Sequence, residues 1–366
     1  MTSVTDNIAE QGTQAGAGML GVRAWLFMLS GLIFLMIVVG GATRLTDSGL
    51  SITEWKPILG IVPPLSTADW QDAFQKYQQI PEYKRINKGM SLNAFKTIFW
   101  WEWGHRFLGR FIGFAVALPF LFFWLPGRIE RSLIPRIIGM FVLGGLQGLL
   151  GWYMVMSGLV DRVDVSQYRL AAHLGLAFII FAYIFWLALS VGGKSPSANL
   201  THGDRKVVLS AVGLLVLLFV QVLLGAFVAG LDAGLSHNTW PLMDGAVVPN
   251  GLLEMSPWYL NIFENVATVQ FNHRMVAYAV VLWSALHIAK TWKAYGEGPE
   301  IVGAALLFIA VIAQAALGIW TLLMQVPIDL GVMHQGGAVI VFAIALHQLH
   351  VLVRTPAQPA VAGTAS

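Results

Sequence analysis

Apolar residues in this chain gather into runs of roughly 20, the length a bilayer demands of a helix. They fall at about 22–44, 96–125, 134–156, 169–192, 206–230, 269–290, 300–324 and 331–352. Eight transmembrane helices are predicted, giving an all-α integral membrane protein. Seven connections join them, and the longest, 45–95, is expected to fold on the membrane surface. There Ser66 or Thr67 can cap a short helix carrying Trp70, Phe74 and Tyr77 along one stripe.

Composition agrees: 57% of the 366 residues are hydrophobic and 11% charged, far too apolar for a soluble globular protein. The absence of cysteine rules out disulfides, thiolate metal sites and cysteine nucleophiles, leaving nine histidines as the good nitrogen ligands. Nothing resembles a nucleic-acid patch. The net charge of +3 matters less than its distribution. Arg128, Arg131, Arg136, Lys194, Arg205, Lys206, Lys290, Lys293 and Arg354 lie on one side of the predicted topology, whereas 231–270 contains no Lys or Arg. Basic residues in short loops mark the cytoplasmic face, so both termini are expected there. The polar N-terminus, with Asp6 and Glu10 and no basic residue before Arg23, is unlike an Arg-rich transit peptide, and a bacterial plasma membrane is expected.

The chain also repeats itself. Asp47-Ser-Gly-Leu-Ser with Trp55 returns as Asp232-Ala-Gly-Leu-Ser with Trp240, 185 residues on; His105-Arg106 returns as His273-Arg274 after 168; Gln147 with Gly151 as Gln314 with Gly318 after 167; His173 with Gly175 as His334 with Gly336 after 161. Four matches in one order imply two tandem four-helix bundles, and because four is even the repeat is parallel. The expected organisation is a cytoplasmic tail (1–21), a first half (22–192), a cytoplasmic linker (193–205), a second half (206–352) and a cytoplasmic tail (353–366).

Each half supplies one histidine on each of two helices at matching depth, His105 with His173 and His273 with His334. Neutral imidazole is the usual axial ligand of haem iron, and bundles build such sites from facing helices. Two bis-histidine haem sites are therefore expected, rather than interfacial histidines bonded to backbone or lipid. A rival pairing is His287 with His347, about 20 Å further down the same helices, which would stack two haems in one bundle as in a transmembrane electron carrier. The first half has Pro119 and Trp186 at those positions. Arg106 and Arg274 either pair with haem propionates or snorkel to headgroups. Glu102, three residues before His105, has Gln270 as its counterpart, so chemistry that needs an ionisable carboxylate belongs to the first half alone. Its rival role is to complement the positive end of its helix. Gln147, Gln221 and Gln314 read as inter-helix hydrogen-bonding groups, and His202 and His237 as solvated loop residues.

Taken together, Glu102-x-x-His105-Arg106, Asn272-His273-Arg274, the histidines opening the fourth and eighth runs, and Gly49-Leu-Ser-Ile-Thr-Glu-Trp-Lys-Pro57 resemble the haem A synthase family, over about 22–353. The resemblance implies oxidation of the C8 methyl of haem O to a formyl group, by successive hydroxylations through a gem-diol that dehydrates. It implies substrate haem at His105 and His173, haem b as cofactor at His273 and His334, and Glu102 as the essential acid. Expected partners are haem O, membrane lipid, a haem O synthase and an electron donor; a homo-oligomer is compatible. Many bacterial members carry a cysteine pair in the first outer loop; its absence here resembles the proteobacterial and mitochondrial branch.

Overall fold

A computed structural model describes residues 2–56, 59–160, 162–192 and 202–354. Most of the expected linker (193–205) and C-terminal tail (353–366) lies outside the described residues. Within them, eight helices are long and apolar enough to cross a membrane. They are α1 (Thr2–Leu45), α4 (Leu92–Trp124), α5 (Ile134–Met156), α6 (Gln167–Ser190), α7 (His202–Gly230), α9 (Val266–Tyr295), α10 (Pro299–Leu323) and α11 (Ile328–Leu352). Three short helices, α2 (Thr67–Tyr77), α3 (Pro81–Arg85) and α8 (Asn261–Glu264), lie in the long connections, and no strand occurs among the described residues. α1 already runs through the segment expected as a polar tail; its apolar crossing is Met19–Leu45. The chain is a multi-pass membrane protein.

Helix starts follow local chemistry. Ser91 accepts from the Ala94 amide and starts α4, Asn265 accepts from the Thr268 amide and starts α9, and α10 opens on Pro299, whose missing N–H costs nothing in a first turn. Because Ser91 lies ahead of the apolar run, α4 begins four residues earlier than expected, and Glu102 sits almost three turns inside it.

α1, α4, α5 and α6 close one ring of neighbours, and α7, α9, α10 and α11 close a second. The rings join where α1 meets α11 and where α6 meets α7 and α11. The core running through this junction includes Leu29, Phe178, Phe181, Leu214, Val339 and Phe342. Outward-facing Leu118, Phe122, Leu149, Leu282, Leu306 and Ile309 are exposed, as lipid contact requires. At the end carrying the long connections, Arg44 ties the rings together: its guanidinium pairs with Asp47 at 2.9 Å and with Asp232 at 3.0 Å. Both aspartates have left-handed backbone, φ 47° and 50°, a conformation Asp tolerates better than most residues.

The first long connection packs on α4. Ser66 and Asp69 form a capping box that starts α2, as the stripe of Trp70, Phe74 and Tyr77 anticipated. Trp70 meets Phe99 edge-on at 4.9 Å, and Tyr77 lies 5.2 Å from Phe95, ring centre to ring centre.

Candidate active site

Each of the four duplicated histidines lies over a glycine on the neighbouring helix: His105 over Gly40 of α1, His173 over Gly151 of α5, His273 over Gly225 of α7 and His334 over Gly318 of α10. A Cβ added at those glycines would stand 2.9, 2.9, 3.3 and 2.6 Å from the imidazole Cε1, so the rings occupy space that the absent side chains leave open. His105 and His173 stand in one ring on helices that share the neighbours α1 and α5, and His273 and His334 in the other on helices that share α7 and α10. The pairs join α4 to α6 and α9 to α11, one pair in each ring of helices.

The glutamines act between helices as expected, and their partners are the histidines. Gln147 Nε2 donates to the His173 carbonyl at 3.1 Å, Gln221 Nε2 to that of His273 at 3.1 Å and Gln314 Nε2 to that of His334 at 2.7 Å. The rival pair is divided. His287 is buried with Nδ1 3.2 Å from the Ser210 hydroxyl, whereas His347 is exposed in an apolar groove beside Phe185 and Leu306. His237 bonds Asp244 at 2.6 Å instead of standing free in solvent. The side chain of His202 lies outside the described residues.

Glu102 is buried and bonded at both oxygens. Oε2 accepts from the Ser51 hydroxyl and the Ile52 amide, each at 2.7 Å, and Oε1 meets the Arg106 guanidinium at 2.6 Å. Arg106 also donates to the carbonyls of Ile52 (2.8 Å) and Glu54 (3.1 Å), so acid and base together hold the connection 46–56 against α4. The second ring has the same wiring with a neutral centre. Gln270 Nε2 donates to the carbonyls of Ala233 and Ser236, its Oε1 accepts from Arg274 at 3.1 Å, and Arg274 donates to the carbonyls of His237 and Thr239 at 2.6 and 2.8 Å. Ile52 and Glu54 correspond to His237 and Thr239 at the 185-residue offset. The depth of Glu102 removes the helix-end role, since that interaction fades beyond the first turn.

The donor set suits a porphyrin-bound iron, which needs only two axial ligands from protein. Among the described residues no cluster of three or more His, Asp or Glu could hold a bare metal ion. The glycine seats fit the same group, because they let each imidazole lie against a neighbouring helix with no side chain between them.

A family model described as cytochrome oxidase assembly protein, COX15-CtaA, matches residues 23–346, which take in all four histidines, Glu102 and both long connections. The chain belongs to this family. Among relatives of the COX15-CtaA family, the heme A synthase of Parvibaculum lavamentivorans is 54% identical over 331 residues, 90% of this chain and 94% of the relative. That of Chelativorans is 54% identical over 326 residues, 89% of each chain, and that of Mesorhizobium japonicum 52% over 324 residues, 88% of each.

Sequence reasoning did not find Gly40, Gly225, Ser51 or Ile52. A signal for Gly225 existed: Gln-x-x-x-Gly occurs at 147–151, 221–225 and 314–318, whereas Gly40 has Met36 in place of the glutamine. Ser51 lies in the repeated Gly-Leu-Ser motif and Ile52 follows it, but a loop residue has no periodicity to expose its partner.

Proposed function

We propose that the chain is a haem A synthase, oxidising the methyl group of haem O, with the substrate haem held by His105 and His173 and a haem b cofactor held by His273 and His334. The observation that carries this reading is two facing histidine pairs with a buried carboxylate beside only one. Iron with two histidine ligands has no open position for oxygen, so such a site either passes electrons or presents a haem whose edge is modified. A bound haem b supplies one-electron transfer. The rest falls to the chain's own residues.

At the first pair, Glu102 lies three residues before His105 on the same side of α4, a placement from which it can act on charge or a proton at the reacting edge. Ser51, Ile52 and Arg106 fix its position, and the covered connection above it keeps water away. Gln270, held in the same way, keeps that geometry and gives up the charge. Arg106 and Arg274 divide their hydrogen bonds between loop carbonyls and Glu102 or Gln270, so their part is to close the loop over each site, whether or not a propionate also reaches them. The matching contacts support a parallel duplication of the two halves. The Lys and Arg distribution supports cytoplasmic termini, and the bacterial relatives support a bacterial inner membrane; oxidising haem O calls for a source of haem O, a haem O synthase, and for a separate electron donor. The different surroundings of His287, buried beside Ser210, and His347, exposed in an apolar groove, count against the stacked-haem carrier.

Glu102→Gln, which copies the second half, tests the assignment. Expressed with a supply of haem O, the variant is expected to retain two haems per chain and yield haem O in place of haem A on extraction. Haem A at the parent level would contradict the role given to Glu102.

A further inference from the structure

Three of the four histidine seats are built alike and one is not. Gln147, Gln221 and Gln314 each stand four residues before the seat glycine, donate to the histidine backbone carbonyl, and bring Nε2 against the ring, 3.3, 3.2 and 3.1 Å from Nδ1 and, in the first two, 3.4 and 3.2 Å from the ring Nε2. Four residues after each of these histidines comes an alanine: Ala177, Ala277 and Ala338. At His105 both positions change. Met36 stands four residues before Gly40, and Gly109 stands four after His105. The two changes fit each other, since the Met36 terminal methyl comes to 3.3 Å of where a Cβ on Gly109 would lie. The result is an imidazole without a clamp: His105 Nδ1 is buried and has no hydrogen-bond partner.

We propose that Met36 makes His105 the releasable ligand, so that the haem of the first site can be exchanged while that of the second is retained. The inference rests on the reading that His105 holds the substrate haem. A substrate must enter and its product leave, whereas a resident cofactor must stay. An amide bonded to the backbone carbonyl of a histidine and packed against its ring resists rotation of that ring. A thioether at the same place offers neither contact, so the His105 ring turns away from iron at lower cost, leaving His173 as the remaining ligand while the porphyrin departs. Met36 is a positioning residue here, since it acts through His105.

The test is haem capture by excess apomyoglobin from the full-length purified protein, with the captured haems typed by chromatography. In the parent, haem O or A is expected to leave faster than haem B. Met36→Gln combined with Gly109→Ala copies the other three seats. It is expected to slow release from the first site by about 3- to 10-fold, the effect of one hydrogen bond, with haem B release in the same sample unchanged. The low-spin ferric EPR signal of the first-site haem is expected to shift as its imidazole gains a partner. Gln314→Met is the reciprocal variant and is expected to speed haem B release by a similar factor. Equal release of both haems from the parent, or unchanged release and EPR in the double variant, would overturn the proposal. If that variant fails to fold, unchanged haem B release from Gln314→Met would overturn it. Two bound haems with unaffected exchange would refute this inference alone; a parent chain without haem would refute the site assignment as well.

Discussion

At the scale of the residue, the sites depend as much on missing side chains as on present ones. Gly148 and Gly151 occupy the same helix, yet a Cβ at Gly148 would meet nothing within 4 Å, and one at Gly151 would press on His173. Alanine at either position gains about the same helix propensity, roughly 1 kcal/mol, so comparing the two isolates the seat. Gly148→Ala is expected to bind first-site haem like the parent. Gly151→Ala is expected to bind it at least about 5-fold more weakly, the lower end of the cost of overpacking a filled site; haem titration into the apoprotein measures both. The histidines stand out in the sequence as candidates because both pairs are duplicated, and the asymmetry of Glu102 against Gln270 stands out for the same reason. The depth of Glu102 was not, because α4 starts among Leu92, Asn93 and Lys96, which an apolar window excludes.

At the scale of the element, the connection 46–91 is a small folded unit with its own titration. Its stripe of aromatics and its Ser66 cap followed from periodicity and turn chemistry. The buried acid in it did not, since Glu82 sits in a short helix too brief to show a pattern. Glu82 accepts from the Tyr77 hydroxyl at 3.1 Å and from Asn87 at 3.2 Å. Burial pushes its carboxyl up to about 8 from an ordinary 4.5, and the charge of Glu102 adds to the rise. The folded form therefore holds a proton that the unfolded form loses. The contribution to folding is complete below pH 4.5, falls as pH rises towards about 8, and is constant above that. Limited proteolysis within 46–91 is expected to be faster at pH 9 than at pH 6, and Glu82→Gln is expected to remove most of that difference. Equal pH dependence in the variant would place the sensitive group elsewhere.

At the scale of the whole molecule, the number of crossings and the four-helix grouping were legible because a bilayer leaves few alternatives to long apolar helices. How the two rings meet was not legible. The junction is carried by apolar residues of α1, α6, α7 and α11, indistinguishable in sequence from lipid-facing ones, and by Arg44, which grips an aspartate from each connection. Side by side, the rings hold two histidine pairs that differ in one charge, Glu102 against Gln270, and in one neighbour, Met36 where the other three seats have glutamine. The most direct test is the type and amount of haem extracted from the purified protein and from its His105→Ala and His334→Ala variants. The account expects two haems per chain in the parent, loss of haem O or A alone from the first variant, and loss of haem B alone from the second. Loss of one and the same haem in both variants would contradict it.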